Sequence, residues 1–223
     1  MLNKEFNQWQ RDYNTKIRRW VPNYDGLISA MTEWSGQQPP TSILDLGCGN
    51  GNVVSALLPR YPRAQFTLVD ASEDMLRACR QLFGHQKNIR YANQYFQELS
   101  FQPASFDLVV AGLAFHHLKG AEKQLVFQKI FQWLRPGGRL LASDLYASKQ
   151  WPDYQQKVMA PWAAFAKKAG TPAEEWEAML IHHAQFDFPD AFEDQEAWLQ
   201  EAGFSAVEIT YLVGYWGTIQ ARK

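Results

Sequence analysis

Between residues 41 and 145 the chain alternates short apolar runs with segments of helical period. Residues 41–46, 64–70, 88–93, 105–111 and 139–144 are predicted strands, and residues 52–58, 73–83 and 122–134 are predicted helices. A doubly wound α/β sheet requires this alternation. Arg135-Pro136-Gly137-Gly138 is expected to close the last of these helices, because proline cannot continue it and glycine accepts the left-handed geometry that follows. Residues 206–212 and 215–221 give two final strands joined at Val213-Gly214. No internal repeat or low-complexity tract interrupts the pattern.

Two segments stand outside the alternation. Phe6, Trp9, Tyr13, Ile17 and Trp20 recur at helical spacing ahead of the first strand, a stripe that ordinarily marks packing. Between Tyr146 and Phe192 the chain is rich in aromatics. Trp151, Tyr154, Trp162, Phe165 and Trp176 fall in two predicted helices split by Gly170-Thr171-Pro172, with Thr171 as N-cap and Pro172 at the first helical position. Ligands of open α/β sheets enter beside the carboxyl ends of the strands, so a helical pair inserted there is a lid over a substrate. Its aromatics either hold a flat or apolar substrate or form the small core that keeps the lid attached.

The chemistry starts at Ile43-Leu44-Asp45-Leu46-Gly47-Cys48-Gly49-Asn50-Gly51-Asn52, an apolar strand leading through an acidic residue into three alternate glycines. The glycines occupy the strand-to-helix turn, where backbone approaches a ligand. A dinucleotide fingerprint reads G-x-G-x-x-G and sets a pyrophosphate on the helix N-terminus. This chain reads D-x-G-x-G-x-G, which puts a carboxylate where an ammonium group is better accommodated than a phosphate, and it has no G-x-x-x-x-G-K-[ST] loop. The second strand ends in Asp70, at about the ~20-residue interval at which an acidic residue meets a ribose. Ser72 is a suitable N-cap for the next helix, and Met75 in its first turn lies either on an adenine face or in the core.

On these residues the chain resembles the class I S-adenosylmethionine-dependent methyltransferases of small molecules. The resemblance covers residues 41–145 with specific motifs and residues 194–223 more loosely, through Trp198-Leu199-Gln200-Glu201-Ala202-Gly203-Phe204. It implies a Rossmann-like seven-stranded sheet with an antiparallel last strand, and a glycine loop (Gly47, Cys48, Gly49) passing the methionine moiety, whose amino group Asp45 helps place. It further implies that Asp70, followed by Ala71 and Met75, takes the ribose and adenine side. Members often carry an aspartate after the third strand that bonds the adenine amino group, while the next N–H bonds the ring. Tyr95 and Phe96 stand at those places, and Tyr95 departs from the pattern. Ala111-Gly112-Leu113-Ala114-Phe115-His116-His117-Leu118 matches the segment beneath the sulfonium, with Gly112 as the point of close backbone approach. Tyr13, Arg18, Arg19 and Val21-Pro22-Asn23-Tyr24 are similar to the N-terminal helices of such enzymes and of the more distantly similar carboxy-S-adenosylmethionine synthases. In the synthases a tyrosine at the place of Tyr24 contacts the cofactor.

Composition narrows the partners. At 223 residues and 46% hydrophobic content the chain suits one α/β domain: a cover (1–40), a cofactor core (41–145), a lid (146–193) and a closing helix with strands (194–223). A net charge of −1 without a basic block gives no electrostatic footprint for nucleic acid. Cys48 and Cys79 lie far apart in the sequence and lack metal-ligand spacing, so neither a disulfide nor a metal site is expected. Asn3, Lys4 and Glu5 open the chain without an apolar stretch, and no run approaches the ~18 apolar residues of a membrane span, which makes a cytoplasmic protein the expectation.

Methyl transfer is an in-line displacement at a cationic sulfonium, and placing the acceptor within ~3–3.5 Å of the methyl carbon accounts for much of the rate. A base is needed only for a protonated oxygen, nitrogen or carbon acceptor. The candidates are His116, His117 and Asp144, at the ends of the fourth and fifth strands, with His182 and His183 in the lid. Adjacent residues on a helix point apart, so at most one histidine of each pair is expected to face the cofactor. The expected function is therefore methyl transfer from S-adenosylmethionine to a small-molecule acceptor. Carboxy-S-adenosylmethionine synthesis would need a lid arginine to grip the added carboxylate, and no arginine occurs between Arg139 and Arg222. A non-catalytic binding protein, with the aromatic segment as a partner surface, is a further alternative, and a nucleotide-modifying role a weaker one given the neutral charge.

Overall fold

The computed structural model describes residues 12–33, 38–151 and 153–223. Phe6 and Trp9 of the aromatic stripe lie outside the described residues. Two short helices, α1 (Tyr13–Trp20) and α2 (Tyr24–Ala30), precede β1 (Ser42–Leu46), α3 (Asn52–Leu57), β2 (Gln65–Asp70), α4 (Glu73–Phe83), β3 (Ile89–Asn93) and β4 (Phe106–Gly112). Then come α5 (Gly120–Trp133), β5 (Leu134–Leu145), α6 (Ala160–Lys168), α7 (Ala173–Phe186), α8 (Phe192–Glu201), β6 (Ser205–Val213) and β7 (Trp216–Arg222).

The seven strands form one sheet in the order β3-β2-β1-β4-β5-β7-β6. β7 runs antiparallel to both its neighbours, β5 and β6. Strand alternation divides the side chains between two layers. Leu44 and Leu46 join the core beneath α5, with Phe115 and Phe127. Ile43 points to the other face and meets Val54, Leu57 and Leu76. Asp45, next in alternation, is also fully buried. Ser72 caps α4 as expected, its hydroxyl accepting from Met75 N–H at 3.3 Å.

Three local expectations are corrected. β5 begins at Leu134, because Arg135-Pro136-Gly137-Gly138 enters the sheet with a register shift opposite Phe106 and Leu108. The last hairpin turns at Gly214 and Tyr215, between Val213 and Trp216. Thr171 does not cap α7: its hydroxyl donates to the Arg19 carbonyl at 3.3 Å, and the helix starts after Pro172.

A third core ties cover to lid. Ile17, Trp20 and Leu27 pack with Val158, Trp162 and Met179, closed below by Leu145 and Trp216. Polar contacts reinforce it: Arg19 and the Trp20 indole N–H both reach Glu175 at 2.9 Å, and the Trp162 indole N–H donates to the Trp20 carbonyl at 2.5 Å. Within the lid Trp162 crosses Trp176 edge-on at 4.9 Å, and Trp151, Tyr154 and Trp176 pack against the same core. No helix among the described residues is long and apolar enough to cross a membrane.

Candidate functional site

The strand order reverses between β1 and β4, and at their carboxyl ends the structure opens a cavity of about 270 Å³. The glycine loop forms its floor. Gly47 and Cys48 donate their N–H groups to the Val69 carbonyl at 2.8 and 3.0 Å, which folds the loop over the end of β2. Gly47 has φ +70°, and a Cβ there would stand 2.5 Å from that of Ala114. Gly49, at φ +53°, would put its Cβ into open space. Both positions thus require glycine, one for packing and backbone, the other for backbone alone.

Two carboxylates serve this loop differently. Asp70 accepts from Gly49 N–H and Ser72 N–H, both at 2.8 Å, one on each oxygen. Burial nevertheless pushes its carboxyl up, and the two amides offset part of that. Asp45 lies one layer deeper, and neither of its buried oxygens has a hydrogen-bond partner. Desolvation, with Asp70 nearby, raises its carboxyl to about 8. A buried acid without donors is expensive unless a cation compensates it.

The remaining expected positions lie around the same cavity. Tyr24, Cys48, Ala71, Met75, Phe96 and Gly112 line it, and so does Tyr95 at an exposed rim, with 52% of its surface free. The Tyr24 hydroxyl accepts from Asn52 at 2.9 Å, while Arg18 lies over the Tyr24 ring and pairs with Asp25 at 2.7 Å. Gly112 has a packing reason to be glycine, since a Cβ would meet Val53 at 2.9 Å. Asp45 does not line the cavity and sits behind its floor. Tyr13, named with Tyr24 in the N-terminal resemblance, and Asn50, within the glycine motif, line it as well, as do Gln94 and Glu122, which no motif singled out. Cys48 and Cys79, remote in sequence, both turn their sulfur toward the Gly49 carbonyl, and both are free thiols.

A second chamber of about 60 Å³ lies alongside, and Tyr13, Leu113 and His117 line both spaces. Its polar wall consists of histidines and one carboxylate. His116 and His117 occupy a short 3-10 turn after β4. They do not point apart: their ring centroids are 3.9 Å from each other. Only His117 also lines the larger cavity, in line with the expectation of one per pair. Asp144 accepts from His116 Nδ1 at 2.5 Å, from His116 N–H at 2.9 Å and from Leu145 N–H at 2.8 Å. It is held below the usual carboxylate range, since the His116 ring and these donors outweigh its burial.

Asp187, which the sequence did not single out, faces this pair from the end of α7. Its Oδ1 is 3.7 Å from His116 Nε2, 3.4 Å from His117 Nδ1 and 3.6 Å from His182 Nε2, and its Oδ2 accepts from His183 Nδ1 at 2.8 Å. Four of the chain's five histidines therefore surround one carboxylate. The imidazole charges hold Asp187 far below the ordinary range despite its burial. Burial works against protonation of both neighbours. Asp144 and Asp187 override it at His116, whose pKa is raised, whereas His117 beside His116 is lowered. Phe188 N–H donates to the His116 carbonyl at 2.6 Å, and the buried Lys123 ammonium reaches Phe188 O and Asp190, each at 2.5 Å, so the segment carrying Asp187 is fixed.

A family model described as a methyltransferase domain matches residues 43–138. Among curated proteins the chain is similar to the carboxy-S-adenosyl-L-methionine synthase of Trichodesmium erythraeum, at 27% identity over 203 residues, covering 88% of this chain and 79% of that protein. Among solved structures, human N-acetylserotonin methyltransferase in complex with SAM aligns at a TM-score of 0.67 and 16% identity over 99% of this chain. An O-methyltransferase family 2 protein of Planctomyces limnophilus, in complex with apigenin, aligns at 0.65 and 17% over 87%. The chain spans 56% of the length of each of these two structures, which share its fold.

Proposed function

We propose that this chain, a class I S-adenosylmethionine-dependent methyltransferase in its fold and its methyltransferase domain, moves a methyl group from S-adenosylmethionine to a small molecule held in the histidine-walled chamber. The observation that carries this reading is the meeting of a glycine-floored cavity and a second, histidine-walled chamber at Tyr13, Leu113 and His117. Bound there, the cofactor supplies an electrophilic methyl group on a cationic sulfur.

The chain's residues fit that cofactor. Asp70 is already oriented by two amides, and each of its oxygens keeps a lone pair for a ribose hydroxyl. Asp45, buried without donors behind the loop of Gly47, Cys48 and Gly49, is held protonated in the ligand-free protein and would ionise against the cationic methionine end. Ala71, Met75, Tyr95 and Phe96 supply the surface for a base, with Tyr24 and Gly112 toward the methionine side. His116, His117 and Asp144 act on the acceptor: Asp144 fixes the His116 ring, and both rings face the chamber. The chamber is enclosed largely by apolar side chains of cover and lid, which exclude water and orient the acceptor.

The chain's similarity to carboxy-S-adenosyl-L-methionine synthases keeps a second use of the cofactor in view. The lid sequence has no arginine, and among the described residues of the cover Arg18 and Arg19 pair with Asp25 and Glu175, which favours methyl transfer over capture of an added carboxylate. Cover, core and lid act as one unit on this reading, supported by their shared core. The free thiols of Cys48 and Cys79 suit a reducing, cytoplasmic setting.

Native mass spectrometry of the purified protein, followed by calorimetric titration, tests the proposal. Bound S-adenosylmethionine or its demethylated product, and methylation of members of a small-molecule panel, are expected. A carboxylated derivative would replace the methyl-transfer reading with the synthase one, and failure to bind any of the three would overturn both.

A further inference from the structure

We infer that His116, His117 and Asp187 form a binding site for a divalent transition-metal ion, with His182 as a further donor. One nitrogen or oxygen from each of the first three lies within 4.8 Å of the others. The donors also stand at a telling distance. Asp187 Oδ1 is buried and accepts no hydrogen bond, although three imidazole nitrogens surround it at 3.4, 3.6 and 3.7 Å. Ordinary N–H···O bonds close to about 2.7–3.2 Å. Four donors around a tetrahedral zinc ion at about 2.0–2.1 Å stand roughly 3.4 Å apart. The three spacings from Asp187 Oδ1 lie within a few tenths of an ångström of such an edge and beyond the ordinary hydrogen-bond range.

The surroundings match those of a metal centre too. His116 gives its Nδ1–H to Asp144, which turns Nε2 toward Asp187, and a carboxylate behind a ligating imidazole is the usual outer partner of such a site. His183 does the same for Asp187, occupying Oδ2 and leaving Oδ1 to the centre. His117 Nδ1–H donates to the Phe186 carbonyl at 3.2 Å, a proton that a bound ion would displace. Lys123 and the Phe188 amide clamp the segment bearing Asp187 onto the His116 turn, so the donors are held before any ion arrives. Imidazole with one carboxylate suits zinc, iron, cobalt or nickel better than magnesium or calcium.

The chamber beside these donors leaves a coordination position for an acceptor. The use of the ion rests on the methyltransferase reading, whereas its binding does not: coordination would select acceptors bearing a hydroxyl or thiol and raise their acidity. The pattern escaped the sequence because the donors come from two segments about 70 residues apart.

The test is a titration of chelator-treated full-length protein with Co²⁺, read by visible absorption, followed by displacement with Zn²⁺. One equivalent with d–d bands of a low-coordinate nitrogen and oxygen site is expected. Asp187→Asn and His117→Gln should each weaken binding by about 100-fold or more, while His85→Gln, at an exposed histidine remote from the chamber, leaves it unchanged. Circular dichroism of each variant reports its folding, and Asp144→Asn, which alters only the outer partner, should weaken binding about 10-fold. Absence of a cobalt spectrum in the folded parent protein, or binding that His85→Gln removes and His117→Gln does not, overturns the site. Cofactor binding by the same metal-free protein, measured calorimetrically, tests the methyltransferase reading separately.

Discussion

Asp45→Asn probes the buried carboxyl behind the glycine loop. In the ligand-free protein desolvation, with Asp70 nearby, holds this group at about 8, against about 3.9 in an unfolded chain. Below the lower value both states carry the proton and the group has no effect on stability. Between the two values the folded state keeps a proton that the unfolded state has lost, so stability falls as pH rises, by about 1.4 kcal/mol per pH unit. Above the upper value the loss levels off. A gap of about four pH units sets a ceiling of roughly 5.5 kcal/mol. The asparagine cannot titrate, but its buried amide costs about 1–3 kcal/mol if unsatisfied. The variant should therefore be no more stable than the parent at pH 5 and more stable at pH 8.5. Urea denaturation of both ligand-free proteins from pH 5 to 9 measures this, and subtracting the two curves cancels the titrations not coupled to Asp45. A difference that does not change with pH would refute the assignment of a protonated Asp45. Calorimetry in buffers of different ionisation enthalpy extends the test: cofactor binding near pH 6.5 should release about one proton from the parent and none from the variant.

Three further outcomes are expected. Asp70→Ala removes an acceptor fixed by Gly49 and Ser72 and should weaken cofactor binding by roughly 2–5 kcal/mol in calorimetric titration, since each charged hydrogen bond contributes ~1.5–3 kcal/mol; unchanged affinity would take Asp70 out of the site. Gly47→Ala forces a left-handed φ on alanine and a 2.5 Å contact with Ala114, so stability should fall by about 1–3 kcal/mol in thermal denaturation and cofactor affinity should fall with it. Trp162→Ala empties the centre of the core shared by cover and lid and should cost about 3–5 kcal/mol in urea denaturation. Hydrogen exchange should then quicken in α1 and α7 while β1 and β4 stay protected.

Legibility followed locality. The strands and the glycine loop were readable because an apolar run bounded by turn residues carries its own structural preference, and Asp45, Gly47 and Asp70 lie within two adjacent strand–turn units. The beginning of β5 was misread because proline and glycine punctuate helices locally, whereas here the sheet edge absorbs them with a register shift. Thr171 carried a helix-capping signal, yet the Arg19 carbonyl, more than 150 residues away, takes its hydroxyl. Asp187 was invisible for the same reason. A lone carboxylate after a helix has no signature until the His116 turn is brought against it. The aromatic stripe of the cover and the aromatics of the lid were each legible as apolar faces, but nothing in either segment says that they face each other.

That shared face bears on the timing of turnover. Tyr13 and the helix it begins wall both the large cavity and the chamber behind it, and the same helix is latched to the lid through Glu175 and Trp162. Emptying either space disturbs one common roof, whose lifting exposes tryptophan and aliphatic surface to water. On the proposed reading, departure past this roof is expected to pace turnover, which would show as a burst of modified product in the first turnover.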